Sequence, residues 1–189
     1  MTTIDTRPMR AKLLTADDLL RLHSEGVRGE LVRGVLHETM SAGHHHGKIA
    51  VNLIVELGNF VKPRKLGTIV ASDSGVWLER SPDTVREPDI AFTSAEKIPL
   101  DAKIDGYAEF VPDLVVEIIS PSDSRRWAHN RAQMWLDYGA PLVWIVHPKT
   151  QTIDIYRPGE LTTTLNEQDT LTGHNILTGF TCPIHTIFT

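Results

Sequence analysis

The chain has 189 residues, 41% hydrophobic and 23% charged, with a formal net charge of −5, and these are ordinary values for a globular protein. We therefore expect one domain over residues 1–189. The single cysteine, Cys182, excludes an internal disulfide framework and a cysteine-based zinc site, and it fits a cytoplasmic localisation. The acidic balance argues against a surface coated in positive charge for nucleic acid, although it leaves room for a local basic patch. No apolar run approaches the roughly 18 residues of a membrane span, so we expect no membrane association.

The first half of the chain predicts two helices and several short strands. Thr15 can cap a short helix, ADDLLRLH, and GELVRGVLHE reads as two strands that turn at Gly34. Apolar residues at helical spacing predict a longer helix over roughly 43–61. TIVASDSGVWLE and TVREPDIAF follow as two strands, and a polar, irregular loop runs from Thr93 to Phe110.

The second half predicts a strand, a helix and a strand in close succession. VPDLVVEIIS and LVWIVH are apolar runs typical of strands buried on both faces, and RRWAHNRAQMWLDYG between them is amphipathic. Such a unit implies a right-handed parallel crossover. TIDIYRP should pair with the second strand, and short β segments should form the tail. The fold class is therefore α/β, a mixed β-sheet flanked by helices.

Two acidic residues carry the clearest chemical signal. Glu117 lies inside LVVEIIS, and a buried carboxylate needs a partner, a proton or a metal. Asp89 opens the strand that follows Pro88, a place where aspartate is common as a turn residue. A structural ion pair explains Glu117 equally simply. If the two residues lie on neighbouring strands, they form a carboxylate pair suited to Mg²⁺.

The predicted helix RRWAHNRAQMWLDYG carries an arginine on its apolar face, where a hydrophobic residue is expected. Trp127, Arg131 and Trp135 lie four residues apart and share one face of the helix. Arg131 either extends its guanidinium group to water or points back towards Glu117. The sequence leaves both alternatives open.

The histidine run SAGHHHGK leads into the second helix. Consecutive helical residues cannot converge on one metal ion, because facing pairs are three or four residues apart. His46 falls on the apolar face, whereas His44 and His45 project elsewhere. We therefore expect one histidine, His46, to face inward. Glu30, in the preceding strand, is a weaker candidate by itself.

Several motifs in their order resemble one family. The segments GELVRGVLHETMSAGHHHGKIAVNLIVELGNFV, VREPDIAF, PDLVVEIISPSD and LDYGAPLVWIVHP follow the pattern of the Uma-type restriction endonucleases, within the PD-(D/E)XK nuclease superfamily. The resemblance runs from about Thr15 to Phe188. It implies a restriction-endonuclease-like core and Mg²⁺-dependent hydrolysis of DNA phosphodiester bonds, with Mn²⁺ able to substitute.

The resemblance also implies a set of site residues. By position, the catalytic residues are Glu30, His46, Asp89, Glu117 and Arg131. Asp89 and Glu117 are the implied metal ligands. Arg131 stands where the family has a lysine, and arginine is effectively always protonated, so it can orient water or stabilise charge but is a poor general base. We expect Glu117→Ala to abolish Mg²⁺-dependent cleavage and to leave the fold intact or more stable.

Other elements and functions stay open at this point. His147 stands where the family usually has an aspartate. Basic residues that could position a DNA backbone lie in two runs: Lys62, Arg64 and Lys65, or Arg125 and Arg126. The rival functions are a catalytically idle nucleic-acid or protein interaction module on the same fold, and a histidine-based metallohydrolase. Nucleases that cut both strands often pair, so a homodimer is a further expectation.

Overall fold

The computed structural model describes residues 12–189, in which four helices and twelve strands form. The helices are α1 (Ala16–Ser24), α2 (His44–Arg64), α3 (Arg125–Asp137) and α4 (His185–Phe188). The strands are β1 (Gly29–Val32), β2 (Val35–Glu38), β3 (Gly67–Ala71), β4 (Val76–Glu79), β5 (Thr84–Arg86), β6 (Ile90–Ser94), β7 (Leu114–Ile118), β8 (Val143–His147), β9 (Thr152–Tyr156), β10 (Thr163–Leu165), β11 (Thr170–Gly173) and β12 (Leu177–Pro183). None of the helices in this part of the chain is long and apolar enough to cross a membrane.

A six-stranded mixed sheet forms the centre, in the order β10-β9-β8-β7-β6-β3. Strands β7 and β8 are parallel and are joined through α3, whereas β6 and β9 flank them antiparallel. The buried residues divide into one cluster on the α2 side of the sheet and another on the α3 side. The predicted mixed sheet flanked by helices is thus confirmed.

A second sheet of four strands, in the order β2-β1-β5-β4, packs against α1. The hairpin of β1 and β2 turns at Arg33 and Gly34, which both have positive φ. Two such residues are what a tight hairpin turn of the favoured type requires. The turn predicted at Gly34 is therefore correct.

Two predicted strands are wrong as continuous elements. TIVASDSGVWLE divides into β3 of the central sheet and β4 of the small sheet, and TVREPDIAF divides into β5 and β6 in the same way. Asp73 has a positive φ, and Pro88 cannot donate to a sheet ladder. Both chain crossings, residues 72–75 and 87–89, therefore lie at the junction of the two sheets.

The remaining boundaries differ only slightly from the prediction. Helix α2 continues to Arg64, and the irregular loop begins after Ser94. The tail forms the β11–β12 hairpin and α4, and both pack beside α2.

Candidate active site

The alternation of β7 decides where Glu117 points. Leu114, Val116 and Ile118 pack in the cluster with α2, whereas Val115 packs in the cluster with α3. Because successive side chains of a strand face opposite sides, Glu117 faces α3. Its whole residue is only 4% exposed.

Arg131 of α3 bridges the two buried glutamates. Its Nε donates to Glu117 Oε1 over 2.7 Å, and Trp135 Nε1 donates to the same oxygen over 2.6 Å. Its Nη1 and Nη2 donate to Glu30 Oε2 and Oε1 over 2.8 and 2.6 Å, and Nη2 also donates to the Glu87 carbonyl over 3.1 Å. The side chain is 5% exposed, so Arg131 points towards Glu117 rather than to water.

Arg131 keeps its proton and its positive charge. Burial opposes it, but the carboxylates of Glu117 and Glu30 outweigh burial and hold the pKa of Arg131 above its usual value. Arginine cannot lose its proton under such conditions. Arg131 can therefore stabilise or orient negative charge, and it cannot act as a general base.

Glu30 ties the small sheet to this centre. Besides Arg131, it accepts the Glu87 backbone N–H at Oε1 over 2.6 Å and pairs with Arg86 Nη1 at Oε2 over 3.1 Å. Burial acts to raise the pKa of Glu30. The charge and hydrogen bonds of Arg131, together with the charge of Arg86, outweigh burial, so the pKa of Glu30 lies below its usual value. Glu30 is thus an ionised acceptor with both oxygens engaged.

Asp89 lies opposite Glu117 at the end of β6. Ile90 pairs with Val116, so Asp89, just before Ile90, and Glu117, just after Val116, are neighbours across the two strands. The negative charge of Asp89 contributes to the raised pKa of Glu117. The Asp89 Oδ2 accepts the Ile118 N–H over 2.7 Å and lies 3.2 Å from His46 Nε2. Asp89 therefore lies just before the strand that neighbours β7, and its pairing with Glu117 at a metal stays a prediction.

His46 is the one member of the histidine run that reaches this centre. His44 and His45 are exposed, as expected from the helix geometry. The hydrogen bond with Asp89 raises the pKa of His46, although burial lowers it. The negative charges of Asp89 and Glu117 raise this pKa further. A protonated His46 can hold Asp89 and present positive charge to an anion.

Glu87 belongs to the same centre, and the sequence did not single it out. Its Oε1 is buried and has no hydrogen-bond partner among the described residues. Burial, together with the negative charge of Glu30, raises its pKa to about 7. Burial raises the pKa of Glu117 to about 7 as well, because Arg131 offsets only part of it and Asp89 and Glu30 add to it.

A cleft of about 740 Å³ opens over this cluster. The side chains that line it and carry its chemistry are Glu30, His46, Glu87, Asp89, Trp127 and Arg131. Glu117 is buried and does not line the cleft. Its Oε1 is taken by Arg131 and Trp135, whereas Oε2 accepts no hydrogen bond from residues 12–189.

The donor set fits a hard divalent cation. The carboxylates of Glu30, Asp89 and Glu117 meet the guanidinium groups of Arg86 and Arg131 and the imidazole of His46. Burial is the main cause of the raised pKa of Glu117, and the negative charges of Asp89 and Glu30 add to it, so a bound cation would favour the ionised form of Glu117. Asp89 and Glu117 are the two carboxylates best placed to share one ion. No group of three His, Cys, Asp or Glu side chains within residues 12–189 forms a metal site by itself. Mg²⁺ needs fewer, because it keeps several waters and takes one or two carboxylates.

Two other histidines form contacts elsewhere in the fold. His129 Nδ1 is 3.4 Å from the Tyr156 hydroxyl, and His147 Nε2 is 2.9 Å from Asp154 Oδ2. With His46 on Asp89, these three histidines point to separate places, and His23 reaches the site only through Glu87, with Nε2 3.7 Å from Glu87 Oε1. This geometry argues against a histidine-based metal centre.

Comparison with known proteins identifies the family. The family model described as "Uma2: Putative restriction endonuclease" matches residues 16–185, most of the chain. The chain belongs to this family. The resemblance read from its motifs is therefore confirmed, and at family level it indicates a nuclease. No curated protein matches the chain.

A solved structure shares the fold of this family member. It is described as a "putative nuclease belonging to DUF820" from Anabaena variabilis, with 21% sequence identity and a TM-score of 0.79. The match covers 93% of this chain and 97% of the other. At this identity the likeness supports the fold alone.

Two contacts of this site could have been anticipated. A buried indole N–H needs an acceptor, and Trp135 shares its helix face with Arg131. Glu117 on the preceding strand was the nearest candidate. Glu87 gave no comparable signal, because its burial depends on the junction of the two sheets.

Proposed function

We propose that this chain is a Mg²⁺-dependent endonuclease that hydrolyses phosphodiester bonds of DNA, with Mn²⁺ able to replace Mg²⁺. The observation that carries the proposal is the neighbouring pair of carboxylates, Asp89 and Glu117: Asp89 lines the cleft, and its negative charge contributes to the raised pKa of the buried Glu117. Family membership supports the nucleic-acid substrate. DNA rather than RNA is part of the proposal.

Asp89 and Glu117 are the proposed metal ligands. Once bound, the metal would supply Lewis acidity, both to activate a water nucleophile and to neutralise charge on the phosphate. The Ile118 N–H and His46 fix the orientation of the Asp89 carboxylate. Arg131 and Trp135 fix Glu117 in the same way.

The remaining residues act through position and charge. Arg131 contributes a fixed positive charge next to the scissile phosphate, and Glu30 positions Arg131 with two hydrogen bonds. His46, with its pKa raised by Asp89, holds that carboxylate and can donate to a phosphate oxygen. No described side chain here is a lysine general base, so the attacking water must lose its proton to solvent or to a carboxylate.

A catalytically idle interaction module is the second candidate. Arg131 favours it, because its guanidinium already forms ion pairs with both Glu117 and Glu30 without a metal. The negative charge of Asp89 beside Glu117 favours the nuclease. Metal binding separates the two candidates.

The test is a calorimetric titration of Mg²⁺, Mn²⁺ and then Zn²⁺ into the wild type, Asp89→Asn and Asp73→Asn. Asp73 lines the same cleft but is exposed and paired with Arg28, so it is a matched control. We expect Mg²⁺ and Mn²⁺ to bind the wild type and Asp73→Asn, and Asp89→Asn to lose binding. In assays on single- and double-stranded DNA, the wild type and Asp73→Asn should then cleave, and Asp89→Asn should not. Zn²⁺ binding indifferent to Asp89, with no cleavage, would contradict the proposal.

A further inference from the structure

A second cavity, of about 350 Å³, lies beside the cleft. The loops that follow β7 and β8 form it, at residues 119–125 and 147–150, with β9 on its far side. Strands β7 and β8 are the parallel pair of the central sheet, so their carboxyl ends meet at one edge. Ligands of open α/β sheets bind preferentially outside such ends.

The acidic and basic side chains around this cavity differ in whether the protein supplies them with partners. Asp154 accepts from Thr164 Oγ1 over 2.6 Å and lies 2.9 Å from His147 Nε2, and Asp123 accepts the Ser120 N–H over 2.9 Å. The acidic side chains of the wall are thus engaged by the protein itself.

The basic side chains that line the cavity have no such partners. Arg125 and Lys149 are exposed and line the cavity, and neither forms an ion pair with the described residues. The hydroxyl groups of Thr150 and Thr152, 2.8 Å apart, lie beside them. Cations with hydroxyl donors are the groups that contact phosphate oxygens in nucleic-acid complexes.

The second cavity adjoins the cleft. Ser120, Pro121 and Asp123 line both, so one loop separates the Asp89 carboxylate from the basic wall. A strand whose phosphate lies at Asp89 can therefore pass over this loop to Arg125 and Lys149.

We propose that the second cavity binds a backbone phosphate of the nucleic-acid strand that enters the cleft, held by Arg125 and Lys149. The inference rests on the proposed function only in taking a nucleic acid as substrate. It assigns the path of the strand, from the cleft across the carboxyl ends of β7 and β8. Phosphate contacts of this kind set register and affinity and carry no sequence preference.

The other basic run is too far away to serve the same strand segment. Lys62 lies sixteen residues after His46 in α2, which is about 24 Å along the helix axis. Arg64 donates to the Phe60 carbonyl over 3.0 Å. Lys62 is exposed, as Lys149 is, and so provides a control with the same change of charge.

The test measures DNA binding without divalent metal, in EDTA, so that binding and cleavage are separated. Fluorescence anisotropy of labelled single strands and duplexes of two unrelated sequences would be recorded over a range of salt for the wild type, Lys149→Ala, Arg125→Ala, Lys149→Arg and Lys62→Ala. We expect Lys149→Ala and Arg125→Ala to weaken binding several-fold for both sequences. Each should also reduce the slope of log K against log salt by about 0.7 to 0.9. Lys149→Arg should restore binding, and Lys62→Ala should match the wild type.

Equal effects of Lys149→Ala and Lys62→Ala would overturn the inference. Calorimetry with inorganic phosphate distinguishes the two sources of the phosphate group. Saturable phosphate binding that needs Lys149, with DNA binding indifferent to Lys149, would mean a site for free phosphate and would also overturn it. The proposed nuclease activity fails separately, if DNA binds through Lys149 and Mg²⁺ promotes no cleavage.

Discussion

At the scale of single residues, one carboxylate oxygen joins two elements of the site, β7 and α3. The Oε1 of Glu117 on β7 accepts from Arg131 Nε and from Trp135 Nε1, both on α3, while its negative charge faces Asp89. Replacing Glu117 by alanine removes a proposed metal ligand and also leaves the indole N–H without an acceptor. Losing one partner of a buried pair is strongly destabilising.

We therefore predict that Glu117→Ala abolishes Mg²⁺-dependent cleavage and lowers the free energy of unfolding by about 3 kcal/mol. Glu117→Gln keeps an acceptor for Trp135, so it should lose cleavage with a clearly smaller loss of stability. Urea unfolding and a cleavage assay on folded protein measure the two effects. The sequence alone predicted an intact or more stable fold, because it did not show the two donors. Full cleavage by Glu117→Gln would remove Glu117 from the site.

Glu87 should make the stability of the metal-free protein depend on pH. Burial and the negative charge of Glu30 raise the pKa of Glu87 from its ordinary value of 4.5 to about 7 in the folded protein. Between these values the folded state binds more protons than the unfolded state, so stability is greatest below the lower value and falls as pH rises towards 7.

We predict that Glu87→Gln, measured in EDTA, unfolds like the wild type near about pH 5 and is more stable by about 1 to 2 kcal/mol near about pH 8, a figure reduced for partial solvent contact. Urea denaturation at both pH values checks this. Glu79→Gln is the control, because hydrogen bonding from Thr84 lowers the pKa of Glu79. An equal gain for Glu87→Gln at both pH values would show that its charge is not the cause.

At the scale of elements, helix α3 places Arg131 and Trp135 against β7. Ser124 begins this helix by accepting the Trp127 N–H at its hydroxyl, and Thr15 caps α1 by accepting the Asp18 N–H. Because a side-chain N-cap is worth about 1 kcal/mol, either cap should matter to stability. Of these two helices, only α3 carries residues that donate hydrogen bonds to Glu117 and Glu30.

We predict that Ser124→Ala and Thr15→Ala each lower the free energy of unfolding by about 1 kcal/mol. Cleavage per folded molecule should fall only for Ser124→Ala, because its first turn lies next to the cleft. Thermal unfolding and single-turnover cleavage compare the pair. Equal losses of cleavage in both variants would mean that stability, and not the position of α3, limits activity.

Local patterns were sufficient for some elements and not for others. The apolar runs of β7 and β8, the amphipathic α3 and the turn at Gly34 each follow from neighbouring residues. The division of TIVASDSGVWLE and TVREPDIAF between two sheets depends on pairing with distant strands, such as Leu31 with Val85. Glu87 and Arg86 lie at that division. Their part in the site could not be read from the sequence for this reason.

At the scale of the whole molecule, the site is also the joint between the two sheets. Glu30 belongs to β1 of the small sheet, and its carboxylate is held by Arg131 of α3, which packs on the central sheet. The Glu87 N–H donates to Glu30 from the segment that crosses between the sheets. The same buried charges that build the proposed active site therefore fasten one sheet to the other.

We predict that Glu30→Ala loosens the small sheet more than the central sheet. Removal of Glu30 leaves Arg131 bound to Glu117 but frees β1 from α3, at a cost on the order of 3 kcal/mol. Amide hydrogen exchange should accelerate in β1, β2 and β5 and change little in β7 and β8, because local opening costs less than global unfolding. Arg28→Ala is the control, since it removes only the exposed pair with Asp73, worth less than about 1 kcal/mol. Uniform acceleration in both sheets would mean that Glu30 stabilises the molecule as a whole and that the sheets open as one unit.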